Sequence, residues 1–402
     1  MKLSAIYGAN AAGKSNLVKA LHCLQKIVIE GKLLDNQENT RFKLRDTLGK
    51  PQRFEIEFFQ GGKAYYYALC VVGKRIASEE LYLSGLGVKD DELVFERVTG
   101  EDNQTTLRFP ESLISQETAE LKLLVEKYLA KPEKPLLELL SGLEGTLFEP
   151  AVEAFAWFKR TLYVVLSSGN PSILAYVQMD RDSDLLKYVQ DVVRSLHMGI
   201  DEVTIDEMTL RPEDSGYKML KEGLTASPDK AVGKGSCYIT EKGDGVLFRT
   251  LRLNHSSKRG EQVPFLMAEE SDGTLRLLEL LPVFRDICSE ERVYVIDEIE
   301  RGVHPNLIKE LVSKFATDGN TKGQLIFTTH GVPLLDESVF RKDEIWFANK
   351  GVDNSTDLYS LSAFKKHDTK DIGKNYLSGR YEAVPLTGNL QDLDWHTHGT
   401  KE

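Results

Sequence analysis

The chain has 402 residues, 41% of them hydrophobic, and a formal net charge of −11. That apolar share supports a sizeable core and excludes wholesale disorder. The acidic balance repels a nucleic-acid backbone on average, and no clear basic run offsets it.

Cys23, Cys70, Cys237 and Cys288 lack the spacing of a disulfide framework or a structural zinc site. No window reaches the ~18 apolar residues of a membrane span, and "MKLSAIYGAN" is too short an apolar run for a signal peptide. A cytoplasmic protein with reduced thiols and no membrane partner is expected.

The first predicted element is a short strand, "KLSAIY", followed by "GANAAGKSN", residues Gly8 to Asn16. The stretch matches G-x-x-x-x-G-K-[ST], and "KSNLVKALHCLQKIVIEG" follows as a helix with Leu17, Leu21 and Leu24 on one face and an end near Gly31. A glycine-rich loop between strand and helix curls its amides around a phosphate, and the helix N-terminus adds positive potential. Lys14 is expected to reach the β- and γ-phosphates, and the Ser15 hydroxyl to ligate Mg²⁺. Gly8, Asn10, Ala11, Ala12, Gly13, Lys14, Ser15 and Asn16 form the candidate nucleotide-binding set.

Residues 52–100 read as strands, with Gly61-Gly62 as a hairpin turn beside Gln60. From about 110 to 200 the pattern is helical: "TAELKLLVEKYLA", "EKPLLELLSGL" and "EPAVEAFAWFKRTLYVVL". In "SDLLKYVQDVVRSLHMG", Ser183 is the expected N-cap, and Leu185, Val189, Val192 and Leu196 make an apolar stripe for the core or for a partner. Residues 214–235 are expected to be an exposed loop. Strands resume at "CYITEK" and "GVLFRTLRL". The last third alternates helix and strand, which implies parallel pairing.

Three motifs in that last third carry chemistry. "RVYVIDEIE" is a buried-strand run ending in Asp297-Glu298. Asp297 is expected to hold the metal with Ser15, and Glu298 to deprotonate the attacking water. "QLIFTTH" ends in His330, placed to touch the γ-phosphate and that water. "EESDGTLRLLELL" puts Ser271, Asp272 and Gly273 at a helix start, a second anion site for a nucleotide held by another copy of the chain. His304-Pro305 fits either a helix start or a dimer-contact loop. His396 and His398 lie in an expected frayed tail and are not read as metal ligands. "NKGV" at 349–352 lacks the Asp of a guanine reader.

In order, "IYGANAAGKSNL", "ESDGTLRLLEL", "VIDEIERGVHPNL", "LIFTTH" and "NYLSGRYEAVP" resemble the ABC-type ATPases of the SMC and Rad50-like branch. Within that branch they are similar to the small prokaryotic AAA ATPases typified by RloA, AbiL and the PARIS defence ATPase subunit.

The resemblance implies an α/β P-loop NTPase of ABC type, with a mixed sheet flanked by helices and a helical insertion. The expected parts are a first core segment (1–110), a mainly helical insertion (111–235), a second core segment (236–375) and a C-terminal tail (376–402). It implies ATP and Mg²⁺ as ligands and a homodimer or higher oligomer whose two copies clamp two ATP molecules. Glu298 is then the general base and His330 the switch histidine, while Ser271 and Gly273, with Asp272 nearby, reach the partner's ATP.

The implied role is an anti-phage ATPase controlling a separate nuclease-type effector, TOPRIM or HNH, and triggered by nucleic acid or a phage protein. The alternative is a DNA-repair or DNA-end-binding clamp. A fused TOPRIM nuclease is not expected in the stretch after His330, nor are long coiled-coil arms in the insertion. Two departures from the family pattern stand out. Family members usually carry a further strand pair before the P-loop, and part of that adenine-side sheet is expected to be missing or replaced; no Q-loop glutamine is assignable, Gln60 being the nearest.

Overall fold

A computed structural model describes residues 2–35, 41–44, 47, 49–110, 116–145, 147–167, 173–225, 231–234, 237–242, 245–364 and 371–384. His396 and His398 lie outside them. The elements in chain order are β1 (Leu3–Gly8), α1 (Lys14–Glu30), β2 (Gln52–Gln60), β3 (Lys63–Val72), β4 (Arg75–Leu83), β5 (Glu92–Thr99), β6 (Thr105–Arg108), α2 (Gln116–Leu124), α3 (Leu136–Ser141), α4 (Glu149–Ala156), β7 (Leu162–Val165), α5 (Ile173–Arg181) and α6 (Ser183–Ser195). Then come β8 (Ile200–Leu210), α7 (Tyr217–Thr225), β9 (Ala231–Lys234), β10 (Cys237–Lys242), β11 (Gly245–Ser256), β12 (Gln262–Leu266), α8 (Asp272–Ser289), β13 (Val293–Ile296), α9 (Pro305–Thr317), β14 (Gln324–Thr329), β15 (Ile345–Lys350), β16 (Thr356–Ser360) and α10 (Ile372–Leu377). This is an α/β chain with mixed sheets, as expected. Among the described residues no helix is long and apolar enough to cross a membrane.

The chain divides into two compact bodies: Met1–Ala9, Leu166–Phe347 and Leu358–Glu402 form the first, and Asn10–Val165 with Ala348–Asp357 the second.

In the first body the sheet order runs β16-β15-β1-β14-β13. β1 and β13 flank β14 in parallel, pairing Tyr7 with Thr329 and Ile296 with Phe327. Every residue of β1 is buried, as befits a strand with neighbours on both edges and both faces. A second sheet runs β12-β11-β10-β9, with β8 also on β11. Helices α5, α6 and α8 pack against β8 and β11 through Leu185, Val189, Val193, Leu251 and Leu277. The apolar stripe of α6 is therefore core, with Val192 and Leu196 partly buried at its margin.

The second body holds the antiparallel meander β2-β3-β4-β5-β6. Its β2–β3 turn is Gly61-Gly62, with φ of 57° and 78°, the left-handed geometry glycine tolerates. Phe58 stacks on Trp157 at 4.3 Å.

Beneath the meander lies a fully buried ion pair, Glu79 with Arg97 at 3.6 Å. Glu79 also accepts from the Tyr67 hydroxyl (3.0 Å) and from the Leu136 and Leu137 amides that open α3. Arg97 donates to the Lys131 and Lys134 carbonyls. Burial pushes the Glu79 carboxyl up, and Arg97 works against that shift. Breaking such a pair strands one buried charge, so Arg97→Met should destabilise by about 3–5 kcal/mol. Urea unfolding followed by circular dichroism checks this; an unchanged midpoint would refute it.

Three local expectations are corrected. The cap of α6 is Asp182, not Ser183: its carboxylate accepts from the Asp184 and Leu185 amides at 3.0 and 2.9 Å. Asp182 is also anchored by Arg285 at 2.6 Å. Part of the expected 214–235 loop is α7, because Tyr217, Leu220 and Leu224 recur at helical spacing and pack against Ile239 and Val246. "EPAVEAFAWFKRTLYVVL" is not one helix: α4 gives way to a wider turn over Trp157–Thr161 and then to β7, where "LYVV" suits a strand.

Candidate active site

In the second body, the phosphate-loop sequence closes on a helix start. Ala11 and Gly13 have φ of 64° and 98°, and Gly13 caps α1. Glycine is required at 13 for a second reason: a Cβ there would collide with the Thr356 side chain. Thr356 Oγ1 donates to the Ala12 carbonyl at 2.9 Å, so the first residue of β16 braces the loop from the far end of the sequence. Lys14 is 5% exposed and Ser15 half-buried. Leu17 is 40% exposed, outside the apolar face it was expected to share. Gln60 accepts from Thr161 Oγ1 at 2.8 Å, at the end of the turn that precedes β7.

In the first body, parallel pairing aligns the C-terminal ends of β1, β14 and β13. Gly8, His330 and Asp297 end or directly follow these three neighbouring strands. Ligand sites of open parallel sheets form at such ends.

Asp297 is fully buried, and its two carboxylate oxygens accept from Thr328 Oγ1 and Ser167 Oγ, each at 2.7 Å. Arg276 Nη2 donates to its carbonyl at 3.3 Å. A buried carboxylate needs such donors to stay oriented. Thr328 Oγ1 also accepts the Glu298 amide at 2.8 Å, and the Thr328 carbonyl takes the Ile299 amide at 3.1 Å. One threonine thus fixes both the buried acid and the backbone of the next.

Glu298 has φ of 48°, a conformation a non-glycine residue holds at a cost of about 1–3 kcal/mol. Its side chain is half-buried, while the His330 side chain is exposed. The His330 amide donates to Glu300 Oε1 at 2.5 Å.

The Ser-Asp-Gly helix start is also in this body. Ser271 Oγ accepts the Thr274 amide at 3.1 Å and so caps α8. Asp272 is exposed in its first turn. The close approach at Gly273 is to the Gly302 carbonyl, which a Cβ would overlap. The loop after Asp297-Glu298 therefore packs on the start of α8. His304 caps α9, its Nδ1 accepting the Asn306 amide at 3.3 Å, with Pro305 as the first helical residue. His304-Pro305 thus starts a helix, as the first of its two readings expected.

Sequence reasoning passed over Ser167, Arg276, Glu300, Thr328 and Thr356. Only Thr328 carried a signal, as the hydroxyl two residues before His330. Glu300 and Arg276 lie inside the quoted motifs but carried no signal of their own, and Ser167 and Thr356 are distant in sequence and recruited by folding.

Residues 3–337 match the family described as "AAA domain, putative AbiEii toxin, Type IV TA system". No curated protein matches the chain. Among solved structures, it is similar to an Smc head domain with an extended coiled coil bound to the C-terminal domain of ScpA, from Pyrococcus furiosus, at 12% identity and a TM-score of 0.38 over 94% of this chain and 93% of that one. An SmcHead bound to the C-winged helix domain of ScpA gives 12% identity and 0.36 over 89% and 90%. The SMC head domain from Thermotoga maritima gives 11% and 0.32 over 89% of each.

Proposed function

The chain belongs to this AAA-domain family, and on that footing we propose that it binds and hydrolyses ATP with Mg²⁺, two copies closing on two nucleotides. The observation that carries the reading is the buried Asp297, held by two hydroxyls beside a Glu298 in a left-handed backbone, at the strand ends that also carry Gly8 and His330. In this reading the amides of the 8–16 loop and Lys14 bind the phosphates.

Mg²⁺ would be held by the Ser15 hydroxyl and the Asp297 carboxylate, oxygen donors of the kind a hard cation takes. Its chemistry there would be to neutralise charge on the phosphoryl group being transferred. Glu298 takes the proton of the attacking water, and His330 orients that water against the γ-phosphate. Ser271, Asp272 and Gly273 face the nucleotide of a second copy.

The family's description names a toxin of a type IV toxin–antitoxin system. Together with the motifs that in sequence resemble RloA, AbiL and the PARIS ATPase subunit, it supports the reading of an abortive-infection ATPase that restrains or releases a separate TOPRIM or HNH nuclease. A nucleic acid or phage protein is the trigger. Phosphate release by the purified chain, with and without Mg²⁺, tests the activity. Absence of magnesium-dependent release, alone and with the product of the neighbouring reading frame, would overturn it.

The cross-copy role has its own test. Ser271→Asp keeps a good N-cap but puts a negative charge where a partner's phosphate would sit. It should melt like the parent, bind ATP as a monomer, and lose hydrolysis by about tenfold or more. Unchanged turnover would remove Ser271 from the site.

A further inference from the structure

The chain is acidic overall, yet residues 41–53 carry five cationic side chains and one acid. Apolar and small residues separate them, so they do not read as a run. Folding adds to them within the second body. The register of the meander pairs Gln52 with Val71 and Val72 with Arg75. The β3–β4 turn at Gly73-Lys74 therefore lies beside the start of β2, and Arg41, Lys50, Gln52 and Gly73 line one surface pocket there. The Ile76 amide donates to the Pro132 carbonyl at 2.7 Å, which brings the turn 131–134 to the same end of the sheet.

Cations from three separate segments thus converge. Lys43, Lys50, Lys74, Lys131 and Lys134 are exposed, and Arg41 is half-buried. Arg53 is not counted with them, because Glu55 and Glu80 hold it. Glu133 sits in the same turn as the last two lysines, and Glu101 and Asp102 in the turn after β5, so the cations outnumber these acids. Gly49 and Gly73 also line the pocket, and no atom lies within 4 Å of where a Cβ of either would stand, which leaves the backbone open to a close approach. Phe42, between Arg41 and Lys43, is 36% exposed. Its carbonyl takes the Thr47 hydroxyl at 2.6 Å, which closes the loop on itself.

We infer that this end of the meander is a binding surface for single-stranded nucleic acid. The lysines meet its phosphates as point charges, and Phe42 offers a face on which a base stacks. An acidic protein would satisfy the lysines but would leave that ring without a role. The inference gives a place to the nucleic-acid trigger of the proposed function and rests on that reading. Binding is read without ATP, so that its failure is distinct from a failure of hydrolysis.

The test is fluorescence anisotropy on the full chain with a labelled oligothymidylate of about 16 nucleotides, beside an oligouridylate and a duplex of equal length. At least one single strand should bind more tightly than the duplex, and its affinity should fall steeply with salt. K43E, K50E and K74E together should lower that affinity at least about tenfold and flatten the logarithmic salt slope by about 2. These side chains are exposed, so the melting temperature, and hydrolysis without nucleic acid, should match the parent. Phe42→Ala should cost about fivefold on the single strand and leave duplex affinity unchanged. A parent that binds neither single strand at low salt overturns the surface, as does a triple variant that binds like the parent. Preference for the duplex, or no effect of Phe42→Ala, overturns the single-strand assignment. If the parent hydrolyses no ATP, the proposed function fails, and these titrations still decide for or against the surface.

Discussion

Lys14→Ala should abolish ATP binding. Lys14 is the first residue of α1, and its side chain is almost wholly buried. In the proposed role its ammonium makes charge-assisted bonds to two phosphate groups. Each such bond contributes about 1.5–3 kcal/mol, so losing both weakens affinity by at least about a hundredfold. Alanine is the best helix former, so α1 should persist, and a melting curve will show whether it does. Equilibrium titration with a fluorescent ATP analogue reads the effect. Affinity retained within a few-fold would refute the phosphate cradle and, with it, the assignment of the whole 8–16 loop.

Glu298→Gln should leave nucleotide bound and slow its hydrolysis by about 10²–10⁴-fold, the usual contribution of a positioned general base. Glutamine matches glutamate in size, and the main-chain bond from residue 298 to Thr328 Oγ1 does not depend on the side chain. The left-handed backbone at 298 and the hydroxyl cradle around Asp297 should therefore survive the change. With hydrolysis blocked, two copies closed on two ATP molecules should accumulate, and light scattering after size exclusion should register a dimer that ATP induces and ADP does not. Near-normal turnover would move the base elsewhere. Slow turnover without an ATP-induced dimer would leave the base in place and sink the clamp.

The two variants separate the halves of the proposal, since one removes binding and the other only chemistry. Glu298 is also where local preference is overridden. No sequence rule places a glutamate at φ 48°. The conformation is held by tertiary bonds: Thr328 takes the Glu298 amide on its side chain and the Ile299 amide on its carbonyl. Strain at a strand end that meets other strand ends supports the proposed role of Glu298.

Elements governed by short-range physics were legible from the residues alone. The strand–loop–helix of residues 3–30 follows from an apolar run, glycines that permit positive φ, and helical spacing up to Gly31. The Gly61-Gly62 hairpin, the strand before Asp297, the strand before His330 and the start of α8 at Ser271 are local in the same sense. Where two neighbours competed for one local task, the residues did not settle it. Asp182 took the cap of α6 from Ser183 because Arg285, distant in sequence, also holds it. The segment 217–225 became helix because Ile239 and Val246 offered its three apolar residues a surface.

The sequence by itself determined the kinds of groups available: a glycine-rich loop ahead of a helix, a pair of acids at a strand end, a histidine at the next, and a capped helix. Only the tertiary structure decided which groups orient them, as Ser167 and Thr328 do for Asp297, Thr356 for Gly13, and Glu300 for His330. The reason is that a motif is written in backbone torsions and side-chain types, which act over a few residues. The partners of a buried polar group are set by strand order and register, which join segments separated by hundreds of positions.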